Sequence, residues 1–196
     1  MVIEQGEQPI IFLDMDGVLA DFVQAALRVH FGTGWFAVFR AWPKGVYETY
    51  DHMGITVDQF WAKINLCGAD FWADLPIFQW TDWLIKACQA LGTVCVLSSP
   101  SRHPDCVQGK LRWIKRVFGE KFRNYIFAPK QHKYLLAAPG RYLVEDSEQN
   151  AAEFVAAGGS GAVIIPQPWN TRPPIKGLEV VTHVHNELRS LLCKVR

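Results

Sequence analysis

The sequence has little of what would mark it for a membrane, a disulfide framework or a polyanion. No apolar run approaches the roughly 18 residues that a bilayer span requires. The five cysteines (Cys67, Cys88, Cys95, Cys106 and Cys193) are odd in number and widely spaced, with no C-x-x-C pair. That spacing argues against a zinc knuckle, a dithiol redox site and a secreted disulfide scaffold, and it predicts reduced thiols. Charge of one sign is also missing. The formal net charge of +1 gives no basic stripe for a nucleic-acid polymer and no field for an anionic membrane. Met1 to Gln8 is polar and carries two glutamates, unlike a secretory signal, so a cytoplasmic location is expected. Repeats and low-complexity tracts are absent.

What is present is an ordinary globular composition. The chain has 196 residues, 49% of them hydrophobic, which suits one domain with a real core and room for a small insertion. Short continuous apolar runs mark strands covered on both faces of a parallel sheet. Ile10–Leu13, Val94–Leu97 and Tyr142–Val144 are the clearest. Ala162–Ile165, Tyr125–Ala128 and Leu178–Val181 complete the expected set. Helical patterns lie between them. One is capped by Thr81 or Asp82 and carries Leu84, Ala87, Cys88 and Leu91 on one face, with Gly92 as its stop. A second runs from Asp105 to Phe118 with Val107, Leu111, Ile114 and Phe118 aligned, and a third from Ser147 to Gly158. Leu188, Leu191, Leu192 and Val195 form an amphipathic C-terminal stretch, compatible with packing on the chain's own sheet or in a homo-oligomer. Alternation of strand and helix predicts a doubly wound α/β fold.

One interval breaks this alternation. Roughly 70 residues separate the first strand from the helix preceding the second, several times a normal crossover. They are crowded with aromatics, including Trp35, Trp42, Tyr47, Phe60, Trp61 and Trp72. A mainly helical insertion over residues 22–76 is therefore expected within an α/β core made of residues 1–21 and 77–196.

Ligands of open parallel sheets bind at the carboxyl ends of the strands. Those ends carry Asp14-Met15-Asp16-Gly17, Ser98-Ser99-Pro100 and Glu145-Asp146, with Lys130 and Lys133 after the weaker strand near Ile126. Carboxylates for a hard cation, a carboxylate nucleophile and donors for phosphoryl oxygens make a phosphoryl-transfer inventory. Taken singly, D-x-D-G is also an acidic turn, Ser98-Ser99 a turn before proline, Glu145-Asp146 a helix start and Lys133 a solvated lysine. Their joint placement at strand ends favours the chemical reading.

The run Asp14-Met15-Asp16-Gly17-Val18-Leu19-Ala20-Asp21-Phe22 resembles the first motif of the haloacid dehalogenase (HAD) superfamily, and more narrowly that of the 5′(3′)-deoxyribonucleotidase family. Leu97–Pro100, Lys133 and Val144–Ser147 are similar to the second, third and fourth motifs. The fourth departs from the usual aspartate pair by having Glu145, and the segment after the second is about one residue shorter than the family pattern. The resemblance implies a HAD-like, Rossmannoid core with a cap inserted after the first strand. It also implies a magnesium-dependent 5′-nucleotidase for (deoxy)ribonucleoside monophosphates that works through an aspartyl phosphate. In that scheme Asp14 is the nucleophile and Asp16 the general acid–base. Asp14, the Asp16 carbonyl and Asp146 hold Mg²⁺, and Ser98, Ser99, Lys133 and Lys110 bind phosphate. Phe22, Tyr47 and Trp61 are the expected contacts for the base. Competing expectations are a phosphatase or phosphomutase for another small ester, such as a sugar phosphate, and a non-catalytic phosphate-binding module.

Overall fold

The computed structural model describes residues 8–194. Met1–Glu7, most of the polar start, and Val195 of the C-terminal stretch lie outside the described residues. Five parallel strands form one sheet in the order β3-β2-β1-β4-β5: β1 (Ile10–Leu13), β2 (Thr93–Ser98), β3 (Tyr125–Phe127), β4 (Arg141–Glu145) and β5 (Gly161–Ile164). The chain builds outward from β1 to β3, then returns to place β4 on the other flank of β1. Leu13 is level with Val96 of β2 and Val144 of β4. The residues just beyond these strands therefore emerge side by side at the switch point, where such sheets open a crevice.

Alternate strand residues feed two layers, as the pleat requires. Ile11, Leu13, Val94, Val96, Tyr142 and Val144 point into the larger core with side chains of α6 (Thr81–Gln89), α7 (Pro104–Phe118) and α9 (Glu179–Lys194). Phe12, Cys95, Leu97 and Leu143 point the other way, against Phe154 of α8 (Glu148–Ala156). Ser147 caps α8 by accepting a bond from the Asn150 amide. No helix among the described residues is long and apolar enough to cross a membrane.

Three local expectations are corrected. Leu178–Val181 is not a strand but the entry to α9, because Val180, Val184 and Leu188 bury one face at four-residue spacing. Helix α6 is capped by Trp80 rather than Thr81 or Asp82; the Thr81 hydroxyl is buried and donates to the Leu19 carbonyl at 2.8 Å. On α7 the buried face runs through Cys106, Gly109, Lys110, Trp113 and Ile114, leaving Val107 exposed.

Between β1 and α6 lie α1 (Phe22–Phe31), α2 (Trp35–Arg40), α3 (Thr49–Met53), α4 (Val57–Asn65) and α5 (Gly68–Ala73). The chain enters and leaves this segment through a narrow neck. Asp21 N donates to the Pro76 carbonyl and Phe78 N to the Leu19 carbonyl, with Ala20 bridged to Ile77. Phe22 stacks on Trp72 at 5.5 Å, and Trp61 stacks on the same indole at 6.2 Å. Helix α5 then docks on α7. Trp113 Nε1 and Arg116 both donate to the Leu75 carbonyl, at 2.8 and 2.9 Å. Gly109 permits the approach, since a Cβ there would stand 2.2 Å from the Ala69 carbonyl oxygen and 2.5 Å from Trp72 Cβ.

Gly109→Ala is the corresponding test. In an unhindered helix this change stabilises by about 0.5–1 kcal/mol. Here overpacking is expected to cost about 1–3 kcal/mol, read as a lower thermal midpoint. A raised midpoint would refute the tight seam.

Candidate active site

The turn after β1 sets the geometry. Asp14 and Met15 are buried, and Gly17 adopts φ +77° while the amides of Leu19 and Ala20 both return to the Met15 carbonyl. A side chain at Gly17 would collide with Asp146, whose Oδ2 lies 2.1 Å from where its Cβ would stand. The first acidic turn and the end of β4 thus interlock only because residue 17 is glycine.

Lys133, on the 3₁₀ turn Lys130–Leu136, is 2% exposed, and its Nζ lies 2.8 Å from both Asp14 Oδ2 and Glu145 Oε2. The other Glu145 oxygen accepts from Ser147 N and Asn150 Nδ2, both at 3.3 Å. Glu145 is fully buried and fully occupied, so its extra methylene serves Lys133. Asp146 instead reaches the cavity wall. Carboxylate oxygens of Asp14, Glu145 and Asp146 come within 4.8 Å of one another.

A second ionic pair stands behind the first. Lys110, fully buried, donates to Asp16 Oδ2, to the Ser98 hydroxyl at 2.8 Å and to the Ser99 carbonyl at 2.8 Å, with its ammonium 5.2 Å above the Trp72 ring. Asp16 Oδ1 and the Ser99 hydroxyl have no partner.

Four carboxylates therefore face two ammonium groups. Burial, reinforced by Glu145, raises Asp14 from its ordinary 3.8 to about 7 despite Lys133. Burial, then Asp14, raises Asp146 to about 6, and burial also raises Asp16 and Glu145. Burial alone would lower Lys133, but Asp14 and Glu145 overcome it and hold the lysine protonated. The ionised site carries two surplus negative charges surrounded by oxygen donors. That donor set fits a hard divalent cation such as Mg²⁺, whose charge would cancel the surplus.

Asp14, Asp16, Ser99, Lys133 and Asp146 line a cavity of about 200 Å³ together with Phe22, Tyr47 and Trp61. The structure thus gathers eight of the ten side chains singled out in the sequence. Ser98 and Lys110 sit one layer behind the wall, where the serine hydroxyl orients the lysine. Sequence reasoning missed Glu48, Thr49, Asn150 and Trp169, which also line the cavity, and it gave no site role to Lys130. Lys130 lies 3.4 Å from Glu48 and 4.2 Å from the Tyr47 ring centre, bridging the core to the inserted segment. Trp169 had a usable signal, since it follows β5 and strand ends carry the site. Glu48 and Thr49 had none, lying at the start of the short helix α3 in the insertion.

The family model described as 5′ nucleotidase, deoxy (pyrimidine), cytosolic type C protein (NT5C) matches residues 8–182. No curated protein matches the chain in sequence. Solved structures share its fold at low identity. A haloacid dehalogenase-like family hydrolase from Xanthomonas campestris is 12% identical, with a TM-score of 0.56 over 100% of this chain and 96% of that one. The HAD hydrolase YfnB from Bacillus subtilis, described as bound to magnesium, is 15% identical, with a TM-score of 0.57 over 92% and 99%. A haloacid dehalogenase-like protein from Agrobacterium tumefaciens is 14% identical, with a TM-score of 0.59 over 96% and 100%. They confirm the HAD-like α/β fold.

The charge surplus has a measurable consequence. With folded pKa values above the unfolded ones, the native chain binds more protons between about pH 4 and 7, so metal-free stability falls as pH rises through that window. The magnesium-free protein is expected to melt higher at about pH 5.5 than at about pH 7.5, with Mg²⁺ or Asp14→Asn shrinking the difference. A midpoint that rises with pH across this range would contradict the charge assignment.

Proposed function

The chain belongs to the family of 5′ nucleotidase, deoxy (pyrimidine), cytosolic type C proteins, and we propose that it is a magnesium-dependent phosphohydrolase for nucleoside 5′-monophosphates. The carrying observation is the single cavity lined both by Asp14, Asp16, Lys133 and Asp146 and by the aromatic side chains Phe22, Tyr47 and Trp61. A phosphate monoester suits the charged cluster, and a planar base suits the aromatic side chains, where stacking contributes about 1–3 kcal/mol. Residues 22–76 act as the cap that supplies those side chains.

In this reading Asp14, the Asp16 carbonyl and Asp146 would hold Mg²⁺, which would supply positive charge to the phosphoryl oxygens. The Asp14 carboxylate attacks phosphorus as the bond to the 5′ oxygen breaks. Lys133 neutralises phosphoryl charge and keeps Asp14 oriented by its 2.8 Å contact. The unpartnered Ser99 hydroxyl donates to a phosphoryl oxygen. Lys110 and Ser98 stabilise this wall from behind.

Asp16 has the properties of the general acid. Burial raises its pKa, Lys110 fixes Oδ2, and the unpartnered Oδ1 exchanges the proton. It protonates the leaving 5′ oxygen, then takes a proton from the water that attacks phosphorus and frees Asp14 and inorganic phosphate. The family's description as cytosolic supports a cytoplasmic location. A small nucleotide is the only partner this chemistry requires.

Phosphate release from deoxyribo- and ribonucleoside 5′-monophosphates, 3′-monophosphates and sugar phosphates tests the proposal. Activity is expected with magnesium on 5′-nucleotides, lost in Asp14→Asn and reduced about 10²–10⁴-fold in Asp16→Asn. Activity confined to sugar phosphates would refute the nucleotide assignment while retaining the chemistry.

A further inference from the structure

Asp146 is held by donors from outside its own strand. Its Oδ2 accepts a hydrogen bond from Trp169 Nε1 at 2.6 Å, and the Tyr47 hydroxyl lies 3.4 Å from Oδ1. Trp169 belongs to the loop Pro166-Gln167-Pro168-Trp169-Asn170 that follows β5. The next residue, Asn170, donates through Nδ2 to the carbonyls of Asp146 at 3.0 Å and Ile165 at 2.9 Å. One loop therefore grips both the backbone and the side chain of Asp146. The indole is 4% exposed, and a buried N–H aimed at a carboxylate makes a strong, directional bond.

The Trp169 ring is seated elsewhere. It clusters with Val23, Leu27 and Trp42, all from the inserted segment, and its centre lies 5.8 Å from that of Trp42. Trp42 Nε1 donates to the Val46 carbonyl at 2.8 Å and so fixes the turn that delivers Tyr47. Both donors to Asp146 are thus supported from one aromatic cluster. Such support is needed because Asp14, of like charge, stands beside Asp146 in the same oxygen cluster.

We infer that Trp169 is a positioning residue for the cation: its indole N–H holds one Asp146 oxygen so that the carboxylate stays aimed at Asp14, and Trp42 ties that aim to the inserted helices. This role presupposes the magnesium requirement proposed above. A flexible aspartate would have to be ordered when the cation binds; a pre-aimed one would not.

Calorimetric Mg²⁺ titration of the full chain and of Trp169→Phe, which keeps a ring and removes the donor, is the test. The variant is expected to bind Mg²⁺ about 10–100-fold more weakly. Its turnover recovers at saturating magnesium, so the defect appears in the magnesium dependence of kcat rather than in KM for the nucleotide. Equal affinity in the two proteins overturns the role of Trp169 and leaves the magnesium reading intact; absence of binding to the unmodified chain overturns both. If the variant does not fold, fluorotryptophan labelling of the unmodified chain gives the answer by fluorine resonance. The Trp169 signal is expected to shift on Mg²⁺ addition while that of exposed Trp83 stays, and an unmoved Trp169 signal sinks the inference.

Discussion

Three buried carboxylates crowd one buried lysine, and much of the molecule follows from keeping them there. Asp14 stands at the end of the central strand, Glu145 and Asp146 at the end of its neighbour, and Lys133 lies 2.8 Å from both Asp14 and Glu145. Parallel register brings the strand ends level, the glycine at 17 lets Asp146 close on the first turn, and α8 lends Asn150 to finish the Glu145 shell. An arrangement that raises Asp14 to about 7 is unfavourable for the fold alone. In the function proposed above, a bound cation and phosphate would complete the charge balance.

The inserted helices join this arrangement at two levels. Helix α5 locks onto α7 at Gly109, and through Trp72 it covers the Lys110 ammonium that holds Asp16. Nearer the opening, Trp42 and Tyr47 support Asp146, and Glu48 meets Lys130. The inserted segment is thereby part of the scaffold that holds Asp16 and Asp146 in place.

Much of this was legible before the structure because parallel sheets announce themselves. Continuous apolar runs located all five strands to within a residue or so, and reading only their carboxyl ends found Asp14, Asp16, Ser99 and Asp146. The failures share a cause, namely tertiary packing that local pattern does not encode. Leu178–Val181 is apolar enough for a strand, but burial on α9 at four-residue spacing decides for helix. Val107 matches the helical period of α7 yet faces out, because α5 docks along the face that holds Gly109. Ser98 and Lys110, expected at the phosphate, bond to each other beside the cavity. Glu145 is an exception in motif only, its longer arm reaching the lysine and leaving Asp146 to the cavity.

The role of Asp14 is tested most directly by a crystal structure grown with Mg²⁺ and beryllofluoride, an analogue of a phosphoryl group bound to a carboxylate. Beryllium is expected bonded to an Asp14 oxygen, with Mg²⁺ shared with Asp146 and fluorides facing Lys133 and the Ser99 hydroxyl. Beryllofluoride on another residue, or Mg²⁺ bound away from Asp14 and Asp146, would contradict it.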